Sequence, residues 1–204
     1  SFKKMVVAAP TGVAAINAGG VTLHSLFQLP FAPFIPTGAS SLLSKIRYYR
    51  EKRNLLRNLE LLIIDEASMV ASHTVDAIDT ILKSIRRRHN QPFGGVQVLF
   101  IGDLHQLQPV VKMEEWQILK DYYSSIFFFD SIALKEHVPV MIELKEIFRQ
   151  KDDSFIELLN EIRHNQLSPE NFELLNSRLK SGGDSEGAVT LTTHNLQADN
   201  TNEK

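Results

Sequence analysis

The chain has 204 residues, 43% hydrophobic and 23% charged, with a formal net charge of −2 and no cysteine. That is material for one sizeable α/β domain, or one domain and the edge of another, and it sets the chain apart from disordered, collagenous and membrane classes. Slight net acidity means that any nucleic-acid path must be local, and the lack of cysteine excludes a disulfide scaffold, a thiolate zinc site and a cysteine nucleophile.

In chain order, the apolar run 5–9 reads as a buried strand, too short to span a membrane and without a signal-peptide cleavage pattern. Because Ser1 is not methionine and an interior-type strand follows almost at once, the chain is expected to begin inside a larger protein. Pro10-Thr11-Gly12 is a turn, and Val13-Ala14-Ala15-Ile16 starts a helix. Residues 30–41 hold three prolines and precede a charged stretch, 45–57, read as a small insertion and a helix. Leu61-Leu62-Ile63-Ile64 is a second buried strand. Residues 72–88 carry Val75, Ile78, Ile81, Leu82 and Ile85 at helical spacing, and Pro92-Gly94-Gly95 breaks the chain before a third strand at 96–101.

Further along, residues 127–129 and 138–144 are expected to add two short strands, although three phenylalanines also fit a helix edge. Residues 154–164 are amphipathic, and Ser168-Pro169 opens another helix with an N-cap hydroxyl and a first-turn proline. Residues 181–187 have linker composition, and 189–193 is expected to start a new strand. Alternating strands and helices predict an α/β fold with a parallel sheet covered by helices on both faces.

The chemistry concentrates at two strand ends. Leu61-Leu62-Ile63-Ile64-Asp65-Glu66 finishes in adjacent carboxylates, and the C-terminal end of a parallel strand is where ligands sit. Nucleotide hydrolysis there needs one carboxylate to hold Mg²⁺ and a second group to orient or deprotonate water. Val98-Leu99-Phe100-Ile101-Gly102-Asp103-Leu104-His105-Gln106 ends in a polar loop, where the neutral Gln106 amide can hydrogen-bond a terminal phosphate without adding charge. The cationic run Arg47-Tyr48-Tyr49-Arg50, Lys52, Arg53, Arg57 interleaves aromatics as single-strand channels do, yet it is read here as a solvated helix face. Arg86-Arg87-Arg88-His89 is read as a helix C-terminus favoured by the dipole. The histidines show no metal-ligand spacing.

With those residues in place, LLIIDEASMV followed by VLFIGDLHQLQPV resembles motifs II and III of the Pif/RecD-type superfamily I DNA helicases. Three further segments resemble the family in order. They are APTGVAA with GVTLHS, ELKEIFRQ, and LTTHN. The resemblance implies a RecA-like P-loop NTPase sheet, incomplete at the N-terminus, with residues 1–181 as a first motor domain containing an insertion near 28–57. Residues 182–204 are then a linker and the start of a second RecA-like domain. It implies ATP and Mg²⁺ as cofactors, with Asp65 as the metal ligand and Asp65, Glu66, Gln106 and Arg149 catalytic and nucleotide-binding. It also implies DNA contacts from Pro10, Thr11, Gly12, Thr22, His24, Ser25, Thr192, His194 and Asn195. The partners implied are single-stranded DNA and a duplex junction, worked on with 5′→3′ polarity in repair, recombination or replication, with no membrane; the implied setting is cytoplasmic, in a bacterial cytosol or nucleoid.

Two departures stand out. The family's Gly-x-x-x-x-Gly-Lys-Thr/Ser loop does not occur in these residues, and Gln108 stands where the family has proline. The purified 204-residue chain is therefore expected to hydrolyse ATP negligibly, which measurable DNA-stimulated turnover would contradict. A strand edge left open is expected to promote self-association, which a monodisperse monomer in sedimentation would contradict. A P-loop ATPase motor that does not act on DNA, and a degenerate nucleic-acid-binding module, stay open as alternatives.

Overall fold

The apolar runs become strands where a neighbouring strand can take their backbone hydrogen bonds. In the computed structural model, which describes residues 3–179 and 189–203, β1 (Met5–Ala9) pairs in parallel with β2 (Val21–Thr22) on one side and β3 (Leu61–Ile64) on the other. β3 in turn pairs in parallel with β4 (Gln97–Phe100), giving the order β2-β1-β3-β4. The three apolar strands lie where the sequence places them.

Between β1 and β3 run α1 (Gly12–Asn17), α2 (Leu23–Phe27), α3 (Ala39–Lys45) and α4 (Arg50–Asn58). The charged stretch 45–57 is thus not one helix. Residues 46–49 leave helical geometry, with Ile46 and Tyr48 packed against the core and the Tyr48 hydroxyl donating to Phe27 O. After β3 comes α5 (Ser72–Arg86), whose Val75, Ile78, Ile81 and Leu82 are fully buried. Burying each contributes about 1.5–3 kcal/mol.

Polar residues on the buried side of α5 fasten neighbouring segments. Asp76 accepts the N–H groups of Ile132 and Ala133 at 3.0 and 2.9 Å, anchoring α7 (Ile132–Glu136), which follows α6 (Met113–Leu119). Asp79 accepts from Phe93 N at 2.7 Å and pairs with Lys83 at 2.8 Å. Arg86 donates to Gly94 O at 2.6 Å, Arg57 O at 2.5 Å and Leu59 O at 2.8 Å, so this end of the basic run ties α4 to the turn before β4.

Three expected strands do not form. Residues 127–129 enter a short 3₁₀ turn, Phe128–Asp130, with a single bridge from Phe127 to Ala71; Phe128 stacks on Phe100 at 5.1 Å, so the ring joins the core without a ladder. Residues 138–144 and 189–193 are without strand partners among the described residues, and the side chains of Val138, Val140, Met141 and Ile142 are 80–90% exposed. β-propensity does not hold a lone segment in a sheet. The linker at 181–187 lies outside the described residues.

The chain divides into two compact units, Ser1–Glu143 and Leu144–Lys204. The second holds α8 (Asp153–Arg163), α9 (Pro169–Ser177) and α10 (Asn195–Asn202). Asp152 caps α8 by accepting from Ser154 N and Phe155 N, and Ser168 caps α9 by accepting from Asn171 N, with Pro169 in the first turn as read from the sequence. No described helix is long and apolar enough to cross a membrane.

Candidate functional site

A parallel sheet delivers all its strand C-termini to one edge, and register decides which residues meet there. Ala8 is level with Ile64, and Ile64 with Phe100. The segments that follow leave the sheet side by side. They are stitched together by Asp65 N donating to Ala8 O at 2.9 Å, Ile101 N to Ile64 O at 2.8 Å, and Ala67 N to Ile101 O at 2.8 Å. The turn after the acidic doublet and the start of the glutamine loop are therefore joined at the same sheet edge, which β1 also reaches just before the Pro10-Thr11-Gly12 turn.

Asp65 and Glu66 are both half-buried. Asp65 Oδ1 accepts the Glu66 N–H at 3.0 Å, and Glu66 sits in the left-handed region at φ 52°, a conformation a non-glycine residue adopts at a cost of about 1–3 kcal/mol. Among the described residues no donor occupies Asp65 Oδ2 or the Glu66 carboxylate. That is a donor set suited to Mg²⁺, which is bound through one or two carboxylates together with substrate phosphates and keeps several waters. The described residues hold no cluster of three or more His, Cys, Asp or Glu side chains of the kind a protein-only metal cage uses.

Two residues that open the motif, but to which sequence reading assigned no individual role, set the glutamine loop. A Cβ on Gly102 would lie 2.8 Å from Ala67 N and 3.0 Å from Ser68 N, so only glycine lets this loop press against the turn after the carboxylates. Asp103 then organises the loop by accepting from His105 N at 3.0 Å through Oδ1, and from Gln106 N at 3.0 Å through its carbonyl. Its Oδ2 lies 3.5 Å from Gln106 Nε2. The signal was present as an Asp followed two and three residues later by its amide donors, an Asx turn.

The proposed DNA residues of the first unit lie at the N-terminal ends of α1 and α2 and in the residues just before them. Thr11 Oγ1 accepts from Ala14 N at 3.2 Å and Thr22 Oγ1 from Ser25 N at 3.1 Å, so both hydroxyls are N-caps whose O–H hydrogens remain to donate. Pro10 and Gly12 frame the first cap. The His24 ring stacks on Phe31, centroids 6.1 Å apart, and Phe31 is 96% exposed. His24, Phe31, Phe34 and His73 line a cavity of about 40 Å³, which has room for a water. Arg149 lies exposed in the second unit, as do Thr192 and His194; Thr192 Oγ1 donates to His194 O at 3.2 Å, and His194 precedes α10, which opens at Asn195.

Burial lowers the pKa of His24, and it lowers that of His73 to about 4, partly offset by Glu115. Neutral His73 can accept from Phe34 N at 3.4 Å through Nδ1. Between about pH 6.5 and pH 4 the unfolded chain binds a proton that folded His73 refuses, so this site stabilises at neutral pH and loses its contribution as pH falls. Urea unfolding at pH 7 and pH 5 is expected to show about 2 kcal/mol more acid sensitivity in the parent than in His73→Gln. Equal sensitivity in both would contradict the assignment.

The sequence model of the PIF1-like helicase family matches residues 1–173. An ATP-dependent DNA helicase PIF1 from Candida albicans is 43% identical over 165 residues, covering 79% of this chain and 18% of that protein. The human ATP-dependent DNA helicase PIF1 is 35% identical over 203 residues, covering 98% of this chain and 29% of that protein. Among solved structures, Bacteroides Pif1 bound to single-stranded DNA superposes with a TM-score of 0.88 at 42% identity, covering 98% of this chain and 46% of that one. Bacteroides Pif1 in complex with ADP-AlF3 and single-stranded DNA gives 0.88 at 42% identity, with 100% and 47% covered. The chain thus spans less than a third of these two relatives and under half of these two structures.

Proposed function

Because the chain belongs to the PIF1-like helicase family, we propose that it is part of the motor of an ATP-dependent DNA helicase that steps 5′→3′ along single-stranded DNA toward a duplex junction. The observation that carries this reading is the stitched edge, where Ala67, just after the Asp65-Glu66 pair, donates its N–H to Ile101, just before the Gly102–Gln106 loop, and Ile101 donates to Ile64. Such an edge suits a nucleotide's terminal phosphates, and the Bacteroides relative bound to ADP-AlF3 and single-stranded DNA supports both ligands.

In this reading Asp65 holds Mg²⁺, which when bound screens the phosphate charge. Glu66 takes the proton of the attacking water, and Gln106, oriented by Asp103, hydrogen-bonds the terminal phosphate. Arg149 stabilises the charge that develops there, an effect worth about a thousandfold or more in related NTPases. Pro10, Thr11, Gly12, Thr22, His24 and Ser25 contact the strand's backbone, which positions without reading sequence. Thr192, His194 and Asn195 do so from the second motor domain. The division proposed is 1–181 for the first RecA-like domain and 182–204 for the linker and the start of the second. Self-association through the open edge of β4, where Leu99 and, just after the strand, Ile101 are each 45% exposed, belongs to the same proposal and is tested by sedimentation.

The deciding experiment measures ATP turnover, with and without oligothymidine, by a protein that carries this chain behind the family's phosphate-binding loop. Strong stimulation by the oligonucleotide is expected. Turnover indifferent to DNA would instead favour an ATPase motor that works on another substrate.

A further inference from the structure

Between Lys45 and Arg57 there are six cations, Lys45, Arg47, Arg50, Lys52, Arg53 and Arg57, against the single carboxylate Glu51, in a chain whose acids outnumber its bases 24 to 22. The sequence alone favours a solvated helix face. Two features of the structure give it a direction. First, α4 and the segment before it are fastened to α2, since Lys52 Nζ donates to Ser25 O at 2.8 Å and the Tyr48 hydroxyl to Phe27 O. The basic segment is therefore held against the element that carries His24 and Ser25. Second, Arg47, Arg50 and Arg53 are exposed and form no salt bridge among the described residues. Arg50, Arg53 and Arg57, spaced three and four apart, share one side of α4, and the adjacent Tyr49 is 83% exposed.

Unpaired guanidinium groups beside an exposed ring are the pieces of a single-strand groove, in which cations follow the phosphates and an aromatic face carries a base. We propose that Arg47, Arg50 and Arg53 extend the single-stranded DNA path beyond α2 by taking backbone phosphates, with Tyr49 stacking on a base. This rests on α2 being a DNA contact, and it adds a second stretch of path outside the residues so far assigned to DNA.

The test is fluorescence anisotropy with a labelled oligothymidine across a salt series, comparing the parent, R47Q/R50Q/R53Q, Tyr49→Ala and His24→Ala, with circular dichroism to verify folding. Each phosphate contact on a single strand contributes about 0.7 to the slope of log affinity against log salt, so the triple variant is expected to flatten the slope by about 2. Tyr49→Ala is expected to weaken binding about 5- to 150-fold with the slope unchanged. If the parent binds, His24→Ala impairs binding and the triple variant keeps the parental slope, the α4 path is wrong while the α2 contact stands. Loss confined to blunt duplex would also overturn it. A parent that fails to bind the oligonucleotide overturns both this inference and the DNA reading beneath it.

Discussion

Glu66→Gln is expected to lower DNA-stimulated ATP turnover by about two to four orders of magnitude, the range for removing a general base, with little change in ATP affinity. The amide keeps the size and hydrogen-bonding shape of the carboxylate but cannot take a proton from water. Glu66 is set apart from Asp65 by its left-handed backbone and by a carboxylate with no donor among the described residues, whereas Asp65 Oδ1 is engaged by an amide. Asp65→Asn should therefore fail differently, raising the Mg²⁺ concentration needed for half-maximal turnover and weakening nucleotide affinity together. The check is steady-state turnover with separate titrations of ATP and Mg²⁺. A Glu66→Gln variant within a fewfold of the parent would remove the proton-accepting role from this residue.

Gly102→Ala is expected to lower turnover by about a hundredfold, the scale of a misplacement of about 1 Å in a reacting group. The added methyl would collide with backbone atoms of Ala67 and Ser68, not with a side chain that could swing away, so the glutamine loop must lift from the carboxylate turn. Nucleotide binding, to which Gln106 would add one neutral hydrogen bond, should fall far less than turnover. A thermal melt separates the mechanisms, because a global loss of stability would lower binding and turnover alike. If Gly102→Ala turns over ATP like the parent, the contact between the two loops has no part in the reaction.

The sheet was legible because the relevant signals are local. β1 and β3 are unbroken apolar runs, β4 is interrupted only by Gln97, each gives way to a turn or polar loop, and Ser168-Pro169 announces its helix within two positions. Residues 138–144 and 189–193 carry the same β-forming composition and make no strand, because pairing needs a neighbour that composition does not record. The same difference runs through the site. Asp65, Glu66 and Gln106 could be picked out as chemical groups at strand ends. The collision that forbids a side chain at Gly102 depends on the register that brings Ala67 alongside. Likewise Asp76 and Asp79 look like solvated positions of an amphipathic helix until the N–H groups they accept, from Ile132, Ala133 and Phe93, are placed beside them. The basic stretch at 45–57 gave its charge in the sequence but not its neighbour, α2.

The proposal that this edge faces a nucleotide's phosphates is tested most directly by a crystal structure of a protein carrying this chain, grown with Mg²⁺, ADP and aluminium fluoride. Asp65 should face the metal and the Gln106 amide the fluoroaluminate, with Gly102 still seated on Ala67. A metal not faced by Asp65, or a fluoroaluminate with the Gln106 amide turned away to solvent, would contradict the assignment of this edge to catalysis.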